Sequence, residues 1–324
     1  MGAHILLVSE RNYEICITRE VYGCVQPTTE WNRAEIIAGL YSLQLDDLIF
    51  FYVKNKGIYG LWKVVSEPFY DDEAIWTDTN QLYPYRFLIG RSFGTFQNPI
   101  SLSDILDLHD KGKIWTFDLN PVQQKNQYKI TMDEAKELLR LLLRNNQLWQ
   151  PKYDSCNTYN PQKRETIKID FGERKNGSIK YEGWLNAWFM LSLKNGSLKK
   201  IVGDYSEFIN LVPTSFNKVM DIFLTHVSYI NNIPVLYKYT CIELKTEKAM
   251  EKDLTQLLHY EDWLARKLSS GDHEMIQSIL VANQFSQNVI DYVLNRKSIE
   301  NRVIRLLVYK MDTDNRTILL NEIL

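Results

Sequence analysis

The spacing of apolar and polar positions changes character midway along the chain. In the first part, "YEICITRE", "DLIFFYV" and "IYGLWKVV" are β-branched and aromatic runs that predict strands, and "KNKG" between the last two supplies Gly57 for a hairpin turn. A helix over "WNRAEIIAGLYSL" and a strand at "YRFLIGR" complete a small mixed β-barrel or sheet. "TMDEAKELLRLLLRNN" is an amphipathic helix, opened by the capping-box pair Thr131 and Glu134 and stopped by the polar, proline-containing run after Asn146. The linker is expected at about 150–164. Beyond it, helices and strands alternate: helix "YEGWLNAWFMLSL", strands "VMDIFLT" and "LYKYTCIELK", helix "EKDLTQLLHYEDWLARKL", strand "IQSILVAN", helix "SQNVIDYVL" and strand "VIRLLVYKM". That order predicts a central mixed sheet covered by helices, and two domains, 1–150 and 151–324.

Composition narrows the class. Among 324 residues, 45% are hydrophobic and 24% charged, enough apolar material for a core, which excludes a disordered chain or a collagen-like repeat. Cys16, Cys24, Cys156 and Cys241 are too scattered for a CxxC zinc site or a disulfide framework. No apolar stretch is long enough to span a bilayer, so a soluble, unexported, cytoplasmic chain without membrane partners is expected. The formal net charge of −2 argues against bulk polybasic binding of nucleic acid. It divides unevenly: 15 basic and 19 acidic residues up to position 150 leave 23 and 21 after it. The most basic stretch, 161–205, is where a phosphate backbone would first be sought.

The second half carries candidate chemistry. Asp221 opens the apolar run "DIFLT", and Glu243 and Lys245 end another, "LYKYTCIELK". Side chains two apart on a strand share a face, so Glu243 and Lys245 project together while Leu244 packs inward, and an aspartate on an adjacent strand can meet them. Two converging carboxylates repel unless a cation lies between them, and hard oxygen ligands suit magnesium, with manganese as a substitute. A neighbouring lysine would orient or activate water and neutralise charge on a phosphoryl group. Glu182 offers a third carboxylate, while Gln256 and Tyr260, spaced i, i+4, share a helix face distinct from the core stripe of Leu254, Leu257, Leu258 and Leu264.

The order Glu182, Asp221, Glu243-x-Lys245, Gln256-xxx-Tyr260 resembles the PD-(D/E)XK nuclease superfamily, in its RecB-like branch. "CIELKTEKAMEKDLTQLLHYEDWL" looks like the C-terminal domain of the NucS endonucleases, with the resemblance covering roughly residues 165 to 310. It implies that Asp221, Glu243 and Glu182 serve a metal, that Lys245 is catalytic, and that Gln256 and Tyr260 position DNA. Met220 stands where the pattern's name has proline, and "THVSYINNIPVLYKYT" is longer than the family's tightest hairpins. A second Glu-x-Lys, Glu173-Arg174-Lys175, lies in a glycine-bounded turn without an apolar strand and is discounted.

In the first half, Trp31, beside Asn32, and Trp76 lie among polar residues and are poor core candidates. Two facing aromatic rings hold a flipped or single-stranded base by stacking, with a nearby Asn reading its edge. "EWNRAEI", "LDDLIFFYV", "GIYGLWKVVSEPFYDD" and "IWTDTNQLYPYRFLI" resemble the EVE domains of the PUA superfamily, relatives of the YTH modification readers, over roughly residues 10 to 125; Asp46-Asp47 replaces the usual Gly-Asp. This resemblance implies a base pocket of Trp31, Asn32 and Trp76, with Tyr59 and Trp62 as weaker members. Together the two resemblances imply an α/β (α+β) chain, with an N-terminal PUA-like mixed β-barrel and a C-terminal restriction-endonuclease-like mixed sheet flanked by helices. The expected activity is that of a modification-dependent restriction endonuclease: a magnesium-dependent, homodimeric endodeoxyribonuclease acting on double-stranded DNA that carries a modified base, with a cytosine derivative expected. A NucS-like repair nuclease and a non-enzymatic reader are the rival expectations.

Overall fold

The computed structural model describes residues 1–76, 81–117, 125–150, 152, 156–172, 174, 177–312 and 317–324. The chain forms two compact units, Met1–Lys168 and Ile169–Leu324. Both are mixed α/β, the first built on a sheet curled into a half-barrel. No described helix is long and apolar enough to cross a membrane.

The first unit runs β1 (Ala3–Val8), α1 (Glu10–Arg19), β2 (Val21–Cys24), α2 (Glu30–Tyr41), β3 (Leu48–Val53), β4 (Gly57–Val64), β5 (Phe69–Tyr70), β6 (Tyr85–Arg91), α3 (Leu102–Asp110), β7 (Gln127–Ile130) and α4 (Met132–Asn145). Its strands lie in the order β2-β6-β4-β3-β1-β7, with β5 also pairing β6. The hairpin at "KNKG" forms, and Gly57 is obligatory there: its φ is +127°, and a Cβ would fall 2.1 Å from the Ile100 carbonyl oxygen. Asp46, standing where the resembled pattern has glycine, takes φ 65° and pairs with Lys63 at 2.6 Å.

"YEICITRE", expected as a strand, is instead most of α1. Ser9 caps it by accepting from the Asn12 amide, and the buried Tyr13 and Cys16 fall at helical spacing. The expected linker also takes a different form. Lys152 bridges to Thr95 and Glu165 to Tyr70, and the amides of Asn157 and Tyr159 donate to the Thr18 and Arg19 carbonyls. Residues 152 and 156–168 therefore belong to the first unit.

The second unit runs α5 (Glu182–Lys194), α6 (Lys199–Val202), β8 (Glu207–Pro213), β9 (Val219–Ile230), β10 (Ile233–Leu244), β11 (Lys248–Ala249), α7 (Glu251–Leu268), β12 (Ile276–Ala282), β13 (Gln284–Phe285), α8 (Gln287–Glu300), β14 (Ile304–Asp312) and β15 (Thr317–Glu322). The main sheet has the order β15-β14-β12-β10-β9-β8. β10, β12 and β14 are parallel, linked through α7 and α8 as parallel crossovers require, and β9 is antiparallel to β10. The long segment between Asp221 and Glu243 closes with a two-residue turn, Asn231-Asn232, at φ 50° and 66°. Its extra length lies in the strands, not in the loop.

The Thr131 capping box is present, and Glu134 does more than cap. Its buried carboxylate accepts from the amides of Trp115 (2.6 Å), Thr116 (2.7 Å) and Thr131 (2.8 Å) and from both threonine hydroxyls. Glu134→Ala strands those buried donors and is expected to lower stability by about 3 kcal/mol. Urea unfolding followed by circular dichroism measures the loss; a change below about 0.5 kcal/mol would contradict the network's importance.

Candidate active site and candidate base pocket

In the second unit, one step beyond the last registered pair of β9 and β10, Ile222 against Ile242, come Asp221 and Glu243. Both are buried, at 7% and 1% exposure. The two carboxyl groups lie close enough for the charge on one to raise the pKa of the other, and Asp221 Oδ2 accepts from the Leu244 amide at 2.7 Å. Lys245 follows the strand end and turns back. Its Nζ lies 2.8 Å from Glu243 Oε1, 3.2 Å from Glu182 Oε2 at the start of α5, and 2.8 Å from the Leu244 carbonyl.

From α7, Gln256 Nε2 donates to Glu243 Oε1 and to the Tyr260 hydroxyl, each at 2.7 Å, and that hydroxyl donates to the Val219 carbonyl at 2.8 Å. All six residues singled out in the sequence thus meet at one end of β10. Two details differ from expectation. Tyr260 is a core residue: its ring is fully buried and stacks on Phe216 at 5.8 Å, because position 260 continues the spacing of Leu254 and Leu257. Gln256 is committed to Glu243, so the pair orients a carboxylate. Glu173 and Lys175, of the discounted Glu-x-Lys, lie outside the described residues.

Three carboxyls around one ammonium leave an excess of negative charge. Burial, with repulsion from Glu243, raises Asp221 well above the usual carboxylate range. Burial likewise pushes Glu243 up to about 7, and burial with the Asp221 charge pushes the partly buried Glu182 up to about 7. For Lys245, burial works against the charge, but the three carboxylates outweigh it and keep the ammonium protonated.

Among the described residues no group of three or more His, Cys, Asp or Glu side chains is placed to hold a metal. The pair Asp221 and Glu243 nevertheless fits a hard cation completed by water and phosphate oxygens, since magnesium is commonly held by one or two carboxylates. Glu243 Oε2 is the observation that bears on this: it is buried and has no hydrogen-bond partner.

The first unit holds a cavity of about 500 Å³ whose lining includes Asn12, Tyr22, Lys54, Trp76, Gln81, Tyr83 and Asn126. Of the residues expected to hold a base, only Trp76 is there. Trp31 and Asn32 lie on the first turn of α2, Trp31 half exposed, and neither lines the cavity. Tyr59 packs on Tyr13 with centroids 5.1 Å apart and Trp62 is buried against Phe51, so both serve the barrel. Trp76, expected in an exposed loop, is 4% exposed.

Its position is set by Arg86 and Gly23. The Arg86 guanidinium lies 5.4 Å over the indole and donates to the Tyr83 carbonyl, the Tyr159 hydroxyl and the Glu73 carbonyl. Tyr83 meets the indole at 5.0 Å between centroids. Asn12 donates to the Tyr83 hydroxyl, which donates to Gln81. A Cβ on Gly23 would lie 2.8 Å from Trp76 and 3.0 Å from Tyr83. The sequence signal for Tyr83, missed above, is the Pro84 behind it, which favours extended backbone at a wall position.

No protein-family model matches the chain, and no curated protein matches it. Among solved structures, a protein from Pseudomonas putida aligns at 14% identity and a TM-score of 0.32, over 44% of this chain and 100% of that one. The YTH domain of a Zygosaccharomyces rouxii protein in complex with N6-methyladenosine RNA aligns at 13% identity and 0.26, over 43% and 86%. A repair endonuclease from Pyrococcus abyssi aligns at 17% identity and 0.25, over 35% of this chain and 45% of that one. At these scores the likenesses carry no argument about activity.

Two outcomes follow from the geometry. Asp221→Asn, by removing like-charge repulsion, is expected to raise the melting temperature of the metal-free protein. The groups raised to about 7 favour the folded state when protonated and lose that contribution as pH rises through 7, so the gain should be larger above pH 7 than below it. Calorimetry at the two pH values checks this; destabilisation at both would contradict the repulsion. Gly23→Val, by contrast, should displace Trp76 and shift its fluorescence relative to a Trp76→Phe reference, and an unchanged spectrum would contradict the fit.

Proposed function

We propose that the chain is a metal-dependent endodeoxyribonuclease that acts on DNA carrying a modified base, the first unit reading the base and the second cutting the backbone. The observation that carries the reading is the meeting of Asp221, Glu243 and Lys245, with the buried Glu243 oxygen unsatisfied. Asp221 and Glu243 would hold magnesium, or manganese in its place, with Glu182 assisting. Bound there, the ion supplies Lewis acidity at a phosphoryl oxygen and lowers the pKa of water.

The remaining work falls to the chain's own side chains. Lys245, kept charged by its neighbours, is suited to neutralise charge developing on the phosphoryl oxygens and to orient the attacking water. Its raised pKa makes it a poor base. Glu182, pushed up to about 7 by burial and the Asp221 charge and 3.2 Å from that ammonium, is the carboxylate placed to take a proton beside the site. Gln256 and Tyr260 hold the Glu243 carboxylate in orientation.

In the first unit, the Trp76 and Tyr83 rings and the amides of Asn12, Gln81 and Asn126 supply the stacking and edge-reading groups that a flipped base requires. A modified cytosine is the preferred ligand.

The test is cleavage, with magnesium or manganese, of one duplex synthesised with each common cytosine and adenine modification. Cutting is expected only where the modified base is present. Asp221→Ala and Lys245→Ala should each reduce it by about 10²–10³-fold or more. Trp76→Ala should abolish the preference for modification while Trp31→Ala preserves it. Cleavage of mismatched or branched DNA irrespective of modification would favour the repair reading, and no metal-dependent cleavage of any duplex would remove the enzyme reading.

A further inference from the structure

The β9/β10 hairpin outgrows its sheet. β8 accompanies β9 only as far as Thr225, and β12 accompanies β10 only from Tyr239. Between them an arm from Val227 to Tyr237 projects without a neighbouring strand among the described residues, closed by the Asn231-Asn232 turn. Tyr229, Ile230 and Ile233 are 70%, 60% and 63% exposed, and Val235, Leu236 and Tyr237 are exposed as well. Side chains alternate along each strand, so Tyr229, Pro234 and Leu236 occupy one face and Ile230, Ile233 and Val235 the other. The arm is apolar on both faces, and a bare apolar strand edge is a template for pairing with another chain.

The two edges are not equivalent. In a two-residue hairpin the flanking residues, Ile230 and Ile233, exchange both of their hydrogen bonds, so the backbone groups of the next pair, Tyr229 and Pro234, point outward. Pro234 has no N–H, which blocks strand addition on the β10 side. On the β9 side Val227 and Tyr229 offer both donors and acceptors. One edge is closed and one is open.

No residue from Val227 to Tyr237 is charged. A phosphate backbone therefore finds no cation there, whereas two identical arms meet without the like-charge opposition that ordinarily bars self-pairing. We propose that the arm is the self-association surface of this chain: two copies pair antiparallel along β9 about a two-fold axis, forming a four-stranded ribbon in the order β10-β9-β9-β10. Such a pairing is isologous, with the same edge used by both copies. It rests on the nuclease reading for its purpose, since two cutting sites are needed to break both strands. Association itself requires neither DNA nor metal.

Sedimentation velocity of the full chain, run without DNA or metal from low to high micromolar concentration, tests the proposal. The mass is expected to rise from the 38.2 kDa of one chain towards twice that value. Tyr229→Lys places a charge at the pairing edge, and Val227→Pro removes an outward donor while leaving the hairpin's inner bonds intact. Both variants should keep the wild-type circular dichroism and remain at the single-chain mass. A wild-type protein at single-chain mass throughout, or a doubled mass persisting in both variants, overturns the proposal. A single chain that still cuts DNA overturns the arm and leaves the nuclease reading standing; a pair that cuts no DNA does the reverse.

Discussion

Like charges buried together are the constraint on which the rest of the second unit depends. Asp221 and Glu243 are drawn into contact by the pairing of β9 with β10, and neither can move away without breaking that register. The protein answers with two devices: a lysine folded back from the strand end, and the Gln256–Tyr260 relay anchored on the Val219 carbonyl. Neither satisfies Glu243 Oε2. An arrangement of this kind is costly in an apoprotein and becomes favourable when a cation replaces the missing positive charge. On the proposed reading, stability and metal binding draw on the same atoms.

The first unit solves the opposite problem, that of keeping a cavity open beside aromatic rings that would fill it. Arg86, itself 1% exposed, is held by the Tyr83, Glu73 and Tyr159 oxygens and by Asp71, and it presses against Trp76 from behind. Tyr159 comes from the segment after the first unit's last helix and hydrogen-bonds Asp71, so residues beyond 150 help to fix a pocket wall. Gly23 leaves the indole room at its other edge. The walls are rigid because a buried, fully engaged guanidinium cannot yield without stranding donors.

Local patterns are legible in the sequence, and of the long-range ones only the pairing that brings Asp221 to Glu243 is. The Thr131–Glu134 capping box and the meeting of Glu243 with Lys245 at a strand end each depend on residues a few positions apart, and each forms as read, while the α7 stripe forms with Tyr260 in it and Leu258 only partly buried. Asp221 was found because a strand pair brings distant carboxylates together. "YEICITRE" misled because its β-branched residues favour a strand, while the Ser9 cap and the spacing of Tyr13 and Cys16 favour a helix; the cap won. Trp76 looked exposed because its sequence neighbours are polar. Its burial is decided by Arg86, ten residues on, and by Gly23, across the sheet, which no local window contains. Tyr260 looks apart from the core because it lies i, i+4 from the polar Gln256; only its hydroxyl serves that face, and the ring is core. Trp31 and Asn32 looked like a reading pair because they are adjacent, yet the helix that carries them does not line the cavity.

The central claim is that the Asp221–Glu243 pair is built for a divalent cation. Calorimetric titration of the metal-free protein with manganese tests it most directly, using buffers of different ionisation enthalpy to count protons. The account predicts one site per chain, with proton release at neutral pH because carboxyls pushed up to about 7 must ionise to bind, and loss of the site in Glu243→Gln. Absence of binding, or binding undiminished in Glu243→Gln, would contradict it.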